Sequence, residues 1–449
     1  MTASEDVQIP PAQVLFIAHA FPPSAEVGGQ RVARLCKYLP EHGFHPIVLT
    51  TAEEFMAERD DTFPNDSNGC TVIRTPVSAT PLTLYRKWKS KLASNRSQPD
   101  GRPHAGTELP AERTGLHKHL LVALQTPDAE HGWYRPALRA GARLLAQQEI
   151  AVIFSSGPPW TCHLVAKELK KKFGVPWIAD FRDPWAGNPQ MPAWRSFIDG
   201  RLEKACVRNA DHVLCNTDSL RALLLKRYPA LDPAKFSTLT NGFDDPVIAI
   251  DPNPGNSSTK LLLHAGAIYG LRRIDTFCQA LQALVDKGKI NPQTLKVLFL
   301  GDMDYDLAQA ARQQAPRLFE STVQIQPRVN WIEARRAMAA ADLLLLFQGG
   351  HVKQIPAKFY DYLEIGRPIL ALTKPGALTE VMDRIGAGIW ADSDSPNDIA
   401  AKLAQALELP RAVPLQLRQK WEQEFHFRIL TAKLAQHIRQ LLLTRKPTL

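Results

Sequence analysis

Short apolar runs alternate with amphipathic stretches along the chain, and its beginning shows the pattern clearly. Val14–Ala18 is an uninterrupted apolar run that predicts a buried strand, and Phe21-Pro22-Pro23 ends it. A helix is predicted from Gln30 to Glu41, where apolar side chains recur at helical spacing: Val32, Leu35, Cys36 and Leu39. A second strand is predicted at His45–Thr50. This βαβ unit indicates a parallel sheet.

The same alternation continues through the first half of the chain. Helices are predicted at residues 133–148 and 161–173, and strands at residues 72–75, 151–154, 175–179 and 211–216. Polar clusters follow predicted strands: Gly28-Gly29, Ser155-Ser156-Gly157, Asp180/Arg182/Asp183 and Asn216-Thr217. Because ligands of open parallel sheets bind beyond the carboxyl ends of strands, these clusters predict a binding edge. The third cluster is equally compatible with a salt-bridge network that only holds the fold.

Two segments break the pattern. Residues 78–128 are rich in Pro, Gly, Ser, Lys and Arg, and they predict a basic, flexible insertion. Residues 246–259 have no periodicity and predict a linker between two domains.

A second alternating series follows the linker. It predicts strands at residues 260–266, 295–300, 323–325, 342–347, 368–372 and 388–391, and helices at residues 274–287, 331–341, 357–365, 397–408 and 415–443. The fold class is therefore predicted as α/β, with two doubly wound domains at residues 1–245 and 260–410 that face a cleft. The helical segment 411–449 is predicted to pack back on the first domain.

Composition narrows the class of protein. The 449 residues are 45% hydrophobic and 22% charged, as in ordinary soluble globular proteins. The six cysteines show no CxxC spacing, which argues against a zinc site or a disulfide framework and favours a reducing compartment. No run reaches the roughly 18 apolar residues of a membrane span. The polar N-terminus does not resemble a secretory signal, so we expect a cytoplasmic protein.

The net charge of +9 is distributed unevenly along the sequence. Residues 86–118 carry eight Lys/Arg against three Asp/Glu, and residues 411–449 carry eight against two. The basicity thus belongs to the insertion and the tail, and it predicts contact with an anionic partner such as the inner face of the plasma membrane. A merely solubilising charge explains these segments equally well. Nucleic acid is not expected, because aromatic residues do not alternate with the basic ones.

The stretch from Gln348 to Leu372 carries the main candidate chemistry. A glycine-bearing loop leads through Pro356 into a short helix, with Lys358 near its start and Asp361 one turn later. Free amides and the helix dipole at such a start favour a bound anion. Gly266, Arg272, Arg273 and Gly301 follow predicted strands of the same domain, so a nucleotide diphosphate is a suitable ligand. We expect no obligatory metal, because no DxD triplet follows a strand; Asp392-Ser-Asp394 lies in a late loop.

Several segments, in order, resemble family 4 glycosyltransferases. They are VLFIAHAFPPSAEVGGQRVARLCKYLPEHGFHPIVLT, SSGPPWTCHLVAKELKKKFGVPWIADFRDPW, ADHVLCNTDSL, LTNGFDD, LLHAGAIYGLRRIDTFCQAL, LFLGDMD and IPAKFYDYLEIGRPILAL. The resemblance covers most of the chain outside the insertion and is nearest to bacterial enzymes of exopolysaccharide and surface-glycan synthesis. It implies a GT-B fold of two Rossmann-like domains. It also implies metal-independent, retaining transfer from a nucleotide-sugar in the cleft.

The resemblance assigns roles to individual residues. Gly28 and Gly29 match the glycine loop near the donor phosphate and the acceptor, and Arg272, or else Arg273, matches a phosphate-side arginine. Lys358 matches a second phosphate-side cation. We therefore expect Arg272, Lys358, Asp180 and Arg182 to be catalytic, and Gly28, Gly29, Gly266, Arg273, Asp361 and Gly301 to bind the donor.

Two departures from the family pattern affect the site. Many relatives carry two glutamates eight positions apart where this chain has Lys353 and Asp361, so Asp361 is expected to contact the ribose or to orient the Lys358 region. Arg182 stands where many relatives place a histidine near the donor sugar.

The sequence predicts a glycosyltransferase that uses a nucleotide-sugar donor and a glycan or lipid-linked acceptor. Two alternatives remain at this stage. One is a nucleotide-sugar epimerase of the same fold, and the other is a non-catalytic basic protein that binds a membrane.

Overall fold

The computed structural model describes residues 11–56, 58–62, 69–83, 116–187, 191–245, 259–350 and 352–444. Most of the predicted insertion and the predicted linker lie outside these residues, as does His351. Within the described part of the chain, no helix combines the length and apolar character needed to cross a membrane.

The first domain is built on a seven-stranded sheet. Its strands are β1 (Ala12–Ile17), β2 (Phe44–Thr51), β3 (Thr71–Thr75), β4 (Ile150–Gly157), β5 (Trp177–Phe181), β6 (His212–Cys215) and β7 (Phe236–Thr238). They are ordered β3-β2-β1-β4-β5-β6-β7, and every neighbouring pair is parallel. Strand β1 shows why the sheet is central, since Leu15 and Ile17 face one buried cluster while Val14 and Phe16 face another.

Helices cover both faces of this sheet. They are α1 (Val27–Tyr38), α2 (Leu116–Leu124), α3 (Tyr134–Gln147), α4 (Thr161–Phe173), α5 (Ala193–Asn209) and α6 (Asp218–Arg227). Short 3₁₀ turns occur at Leu39–His42, Glu53–Phe55, His131–Trp133 and Pro233–Lys235.

The second domain repeats the design with six parallel strands. They are β8 (Lys260–Ala265), β9 (Leu295–Leu300), β10 (Val323–Gln326), β11 (Leu343–Phe347), β12 (Ile369–Thr373) and β13 (Ile389–Asp392), in the order β10-β9-β8-β11-β12-β13. Its helices are α7 (Ile274–Asp286), α8 (Tyr305–Gln314), α9 (Leu318–Ser321), α10 (Trp331–Ala340), α11 (Ala357–Ile365), α12 (Ala377–Ile385) and α13 (Pro396–Leu407), with a 3₁₀ turn at Pro292–Thr294. All five residues of β11 and of β12 are buried, which explains their unbroken apolar runs.

The C-terminal segment divides between the two domains. Helix α14 (Leu415–Phe425) packs on the second domain through Trp421 and Phe425. Helix α15 (Phe427–Thr444) packs on α1, and its residues Leu430, Leu434 and Ile438 complete a core of the first domain. Helix α15 therefore packs back on the first domain, whereas the core contacts of α14 are with the second.

The chain crosses between the domains where α14 meets α15. There Phe243 donates its amide to the carbonyl of Phe425 at 3.1 Å, and Phe427 donates to the carbonyl of Phe243 at 2.9 Å. The two crossing segments are thus hydrogen-bonded to each other.

Two helices depart from the sequence prediction. The flexible insertion was predicted to extend to Asp128, but α2 is helical and Asp128 is buried, accepting from the amide and hydroxyl of Thr161 at 2.7 Å each. Helix α5 was not predicted at all. Its buried positions include Arg195, Asp199 and Glu203, so its inward face carries no continuous apolar stripe.

Candidate active site

The carboxyl edges of the two sheets face each other across a cleft. In each sheet the strand order reverses at one point, between β1 and β4 and between β8 and β11, where open α/β sheets bind ligands. Hydrogen bonds join the loops of the two edges: Thr217 Oγ1 donates to the carbonyl of Lys353 at 2.7 Å, and Gln354 Nε2 donates to Asp183 Oδ1 at 2.6 Å. The loop before α11 is therefore held directly by the first domain.

Lys358 lies across Gly266, at the end of β8. A Cβ at position 266 would collide with the Lys358 side chain, and Gly266 has a φ of +112° that only glycine adopts readily. The sequence places the lysine there because α11 begins at Ala357, directly after Pro356, so Lys358 stands in the first turn. Burial, and next the Arg272 charge, lower the pKa of Lys358 to about 7.

Arg272 stands beside Lys358. Its Nε donates to the carbonyl of Phe347, at the end of β11, at 3.3 Å, and its guanidinium lies 3.8 Å from the centre of the Tyr269 ring. Among the described residues, no carboxylate lies within 4.0 Å of either cation's charged nitrogens. Two adjacent cations without a carboxylate between them favour binding of a dianion.

Glycines let the backbone close tightly around these cations. A Cβ on Gly301, at the end of β9, would lie 2.6 Å from the carbonyl carbon of Gly266. Gly301 therefore supports the Gly266 turn from behind rather than facing the cations. It also lines a cavity of about 300 Å³, together with Asp302, Tyr305, Arg312 and Gln326.

Arg273 points away from the cation pair formed by Arg272 and Lys358. Its Nη2 lies 2.9 Å from Asp275 and its Nη1 3.5 Å from Asp394. Of the two adjacent arginines that the sequence left as alternatives, the structure brings only Arg272 to Lys358.

Asp361 lies one turn beyond Lys358 but is bonded to another residue. Arg335 Nη2 is 3.1 Å from Asp361 Oδ1, and Arg335 Nη1 is 2.7 Å from Glu364 Oε1. Arg335 is buried, while the side chain of Asp361 stays 29% exposed. Burial raises the pKa of Glu364 to about 7. Asp361 thus fixes the outer end of an ion-pair chain under α11 and keeps part of its side chain exposed.

On the opposite side of the cleft, Gly28 and Arg182 come together. Gly28 stands in the first turn of α1, and a Cβ there would collide with the Arg182 guanidinium. Arg182 is half-buried, and burial lowers its pKa. Gly29 packs against the backbone after β1, where a Cβ would lie 3.0 Å from the Ala20 carbonyl. A cation beside a helix N-terminus forms a second positively charged point in the cleft.

Asp180 does not reach the cleft. It is 0% exposed, and its carboxylate accepts from Arg31 at 2.8 and 3.0 Å and from Ser156 Oγ at 2.7 Å. Arg31 also donates to the carbonyl of Leu239 at 2.8 Å. Asp180 therefore holds the end of β5 to α1 and to the chain after β7. This is the salt-bridge network that the sequence left open, and its geometry does not place Asp180 on substrate.

Three features of the site were not identified from the sequence. Arg31 is buried at the centre of the first domain. The sequence feature that could have identified it is its position on the apolar side of α1. Glu26 precedes α1, and burial raises its pKa despite the Arg182 charge. Arg328 forms an ion pair with Glu58 of the first domain, so it joins the two domains at a further point.

Burial holds three of the described histidines near the site in the neutral form. Burial lowers the pKa of His19 to about 4 and that of His163 to about 3, and His264 is lowered as well. His264 is buried in β8 and its Nδ1 lies 2.8 Å from the Leu345 carbonyl. Neither His163 nor His264 reaches the cleft.

One cluster of potential metal ligands occurs in the described part of the chain. It consists of Asp244, Asp245 and His426, at the crossing between the domains. Asp244 already accepts from Lys37 at 2.6 Å and from Tyr38. The cluster therefore lies apart from the cation pair of the second domain.

Comparisons with known proteins agree with this architecture. Residues 28–242 match the glycosyl transferase 4-like domain, and residues 259–409 match the glycosyl transferases group 1 family. A search of curated proteins found no match.

Solved structures resemble the whole chain. A sucrose-phosphate synthase from Thermosynechococcus elongatus is 18% identical, with a TM-score of 0.64 over 97% of this chain and 100% of that one. HepE from Anabaena, solved with UDP and glucose, is 14% identical, with a TM-score of 0.61 over 96% and 100%. The lipopolysaccharide outer core galactosyltransferase WaaB is 10% identical, with a TM-score of 0.58 over 96% and 99%. With both halves matched by glycosyltransferase families, the chain belongs to the family 4-like glycosyltransferases and has the GT-B fold.

Proposed function

We propose that the protein transfers a sugar from a nucleotide-sugar to a hydroxyl of a glycan or lipid-linked acceptor, with retention and without an obligatory metal. The observation that carries this proposal is the position of Lys358. It lies across Gly266 beside Arg272, at the strand switch point of the second domain, while Arg182 lies against Gly28 at the α1 N-terminus of the first domain.

The cation pair suits a departing diphosphate. As the bond between the sugar C1 and the phosphate oxygen breaks, negative charge grows on the diphosphate. Lys358, Arg272 and the free amides of the first turn of α11 offset that charge. Side-chain cations at this point supply the role that a divalent ion fills in other transferases, which is why we propose metal-independent transfer.

The acceptor reacts from the first domain. Its hydroxyl oxygen forms the new bond to C1 on the face that the diphosphate leaves, and its proton passes to the departing phosphate oxygen. Retention follows because the bond that forms and the bond that breaks lie on one face of the sugar. Arg182, beside Gly28, positions the anionic donor from the acceptor side, where many relatives of this family place a histidine.

The remaining donor contacts follow from the site. The cavity of about 300 Å³ bounded by Gly301 and Tyr305 lies next to Gly266 and is suited to the nucleobase. The exposed part of Asp361 is suited to the ribose. Because the Anabaena protein was solved with UDP and glucose, UDP-glucose is the first donor to test.

We place the reaction in bacterial surface-polysaccharide synthesis, in the cytoplasm at the inner face of the plasma membrane. The resemblance to surface-glycan enzymes and the structural similarity to WaaB support this setting.

A donor screen tests the proposal. Sugar conjugates of UDP, GDP, ADP and dTDP are added in excess, and the shift in melting temperature identifies the donor, since a ligand at 100 times its Kd stabilises by about 2.7 kcal/mol. Transfer by the identified donor is then followed by NMR of the product's anomeric proton, with and without EDTA. Inversion at C1, or loss of turnover in EDTA that added metal restores, refutes the corresponding part of the proposal.

Acceptor-free incubation separates the alternatives. An epimerase converts the nucleotide-sugar into an isomer without an acceptor, whereas a transferase does not. A non-catalytic binder shows neither product nor nucleotide-dependent stabilisation.

A further inference from the structure

One outer face of the first domain is strongly basic, although the distribution of charged residues along the sequence does not show it. Helices α3, α4 and α5 lie side by side over one face of the sheet. Their exposed and half-exposed positions carry many cations: Arg135, Arg139, Arg143, Lys167, Lys170, Lys171, Lys172, Arg201, Lys204 and Arg208. The only carboxylate at such a position in these three helices is Glu168. We name this surface the cationic face.

The net positive charge of the sequence lies in the insertion and the tail, and the fold adds a basic surface outside both. The remainder of the chain is nearly neutral in sum, but the fold separates its charges. In α5 both acids are buried and paired: Asp199 lies 2.8 Å from Arg195, and Glu203 lies 2.5 Å from Arg227 of α6. The charged side chains exposed on this helix are therefore all cations.

The exposed cations of α5 form a stripe. Arg201, Lys204 and Arg208 are spaced three and four residues apart, which places them on one side of the helix. Within the described ranges none of the three side-chain charges pairs with a carboxylate. Because like charges along a helix repel, such a stripe favours an anionic surface as partner.

Two bulky apolar side chains stand at the N-terminal end of the stripe. Phe197 is 61% exposed and Ile198 36% exposed, and the Arg201 guanidinium lies 4.7 Å from the centre of the Phe197 ring. Adjacent aromatic and branched side chains beside cations are suited to the boundary between lipid headgroups and acyl chains. A nucleic acid backbone would use the cations but gain nothing from Ile198.

We propose that the cationic face docks on an anionic phospholipid membrane, with Phe197 and Ile198 entering the headgroup boundary. This inference names the surface that meets the membrane in the proposed setting, and it stands without the transferase activity, because the face is separate from the cation pair of the second domain and binding needs no turnover. The cationic face reaches the cleft side of the domain through the start of α5. Because α5 begins after the carboxyl end of β5, Phe197 and Ile198 lie at the sheet edge that faces the cleft.

The test is co-sedimentation of the full-length protein with phosphatidylcholine vesicles with and without phosphatidylglycerol. We expect binding only to the anionic vesicles. Replacing Arg201, Lys204 and Arg208 by glutamine should weaken it more than about tenfold, since each basic residue near such a surface contributes about 1 kcal/mol. The matched control replaces three exposed lysines of the second domain, Lys287, Lys289 and Lys296, by glutamine and should leave binding within twofold.

A second variant separates lipid from other anions. Phe197→Ser with Ile198→Ser keeps the charge and should weaken vesicle binding several-fold, while binding to a homopolymeric RNA stays unchanged. Unchanged melting temperatures show that each variant is folded. Absence of binding to anionic vesicles, equal losses in both glutamine triples, or full vesicle binding by the serine variant overturns the proposal.

Discussion

The charge of Lys358, at the centre of the site, should lower the free energy of unfolding of the protein. Its ammonium is half-buried next to Arg272, and its pKa of about 7 lies below the usual 10.5. The unfolded chain therefore binds the proton more tightly than the folded one, and the charge opposes folding below pH 10.5. One pKa unit corresponds to about 1.4 kcal/mol, so the cost at neutral pH is bounded by about 5 kcal/mol.

Lys358→Met removes the charge and keeps an unbranched side chain of similar length. Allowing for solvent at the open side of the site, we expect the free energy of unfolding to rise by about 1–2 kcal/mol at pH 7. The gain should vanish as the pH approaches 10.5, where the lysine is neutral in both states. Nucleotide affinity should fall at least about tenfold, because a charge-assisted contact to phosphate is lost.

Urea denaturation between pH 6 and 10.5 measures the stability, and calorimetric titration with UDP, the nucleotide of the first donor proposed for testing, measures the affinity. Lys353→Met is the matched control, because that lysine is exposed on the same loop and bonds to the first domain only through its carbonyl. It should change stability by no more than about 0.5 kcal/mol. A Lys358→Met protein that is less stable than the wild type and binds UDP normally refutes the reasoning.

Other changes probe the same site. In the free protein the pKa of Lys358 is lowered to about 7, and a bound diphosphate should raise it. UDP affinity should therefore fall above pH 7, by up to about tenfold per pH unit, with proton uptake visible in buffers of different ionisation heat. A flat affinity profile from pH 7 to 9 contradicts this. Gly266→Ala should cost about 1–3 kcal/mol and abolish UDP binding, because the φ of +112° is strained and the new Cβ displaces Lys358. Gly288→Ala, at a φ of +63° with open space around it, is its control and should leave UDP binding intact. Asp180→Asn should destabilise by about 3–5 kcal/mol, because Arg31 stays buried without its partner; unchanged urea stability with lost transfer would instead make Asp180 catalytic.

The strands and their ends were predictable from the sequence because each strand is marked by an apolar run within its own few residues. Buried parallel strands read as apolar runs, as in Leu343–Phe347. The residues just past those runs must lie at one sheet edge, so Gly266 and Lys358 could be placed near each other. Arg272 and Arg273 could not be separated, because the choice depends on Asp275 and Asp394, which lie on different elements.

Features that depend on distant pairing could not be predicted. Helix α5 hides its acids with Arg195 and Arg227, so its sequence shows neither an apolar stripe nor a basic face. The role of Asp180 likewise depends on Arg31, which lies 149 positions away along the chain. Composition alone predicts that the insertion ends at Asp128. The burial of Asp128 against Thr161 is not visible in the sequence.

The placement of α15 sets the order in which the molecule can be completed. Along the chain, the whole second domain separates α1 from Phe427–Thr444, yet Leu430, Leu434 and Ile438 share one core with Val32 and Leu35. The first domain thus waits, with an apolar face open to water, while the entire second domain is translated. A chain interrupted anywhere before α15 retains that open face, which is the kind of surface that chaperones and proteases recognise. Completion of the first domain's core therefore depends on prior synthesis of the second domain.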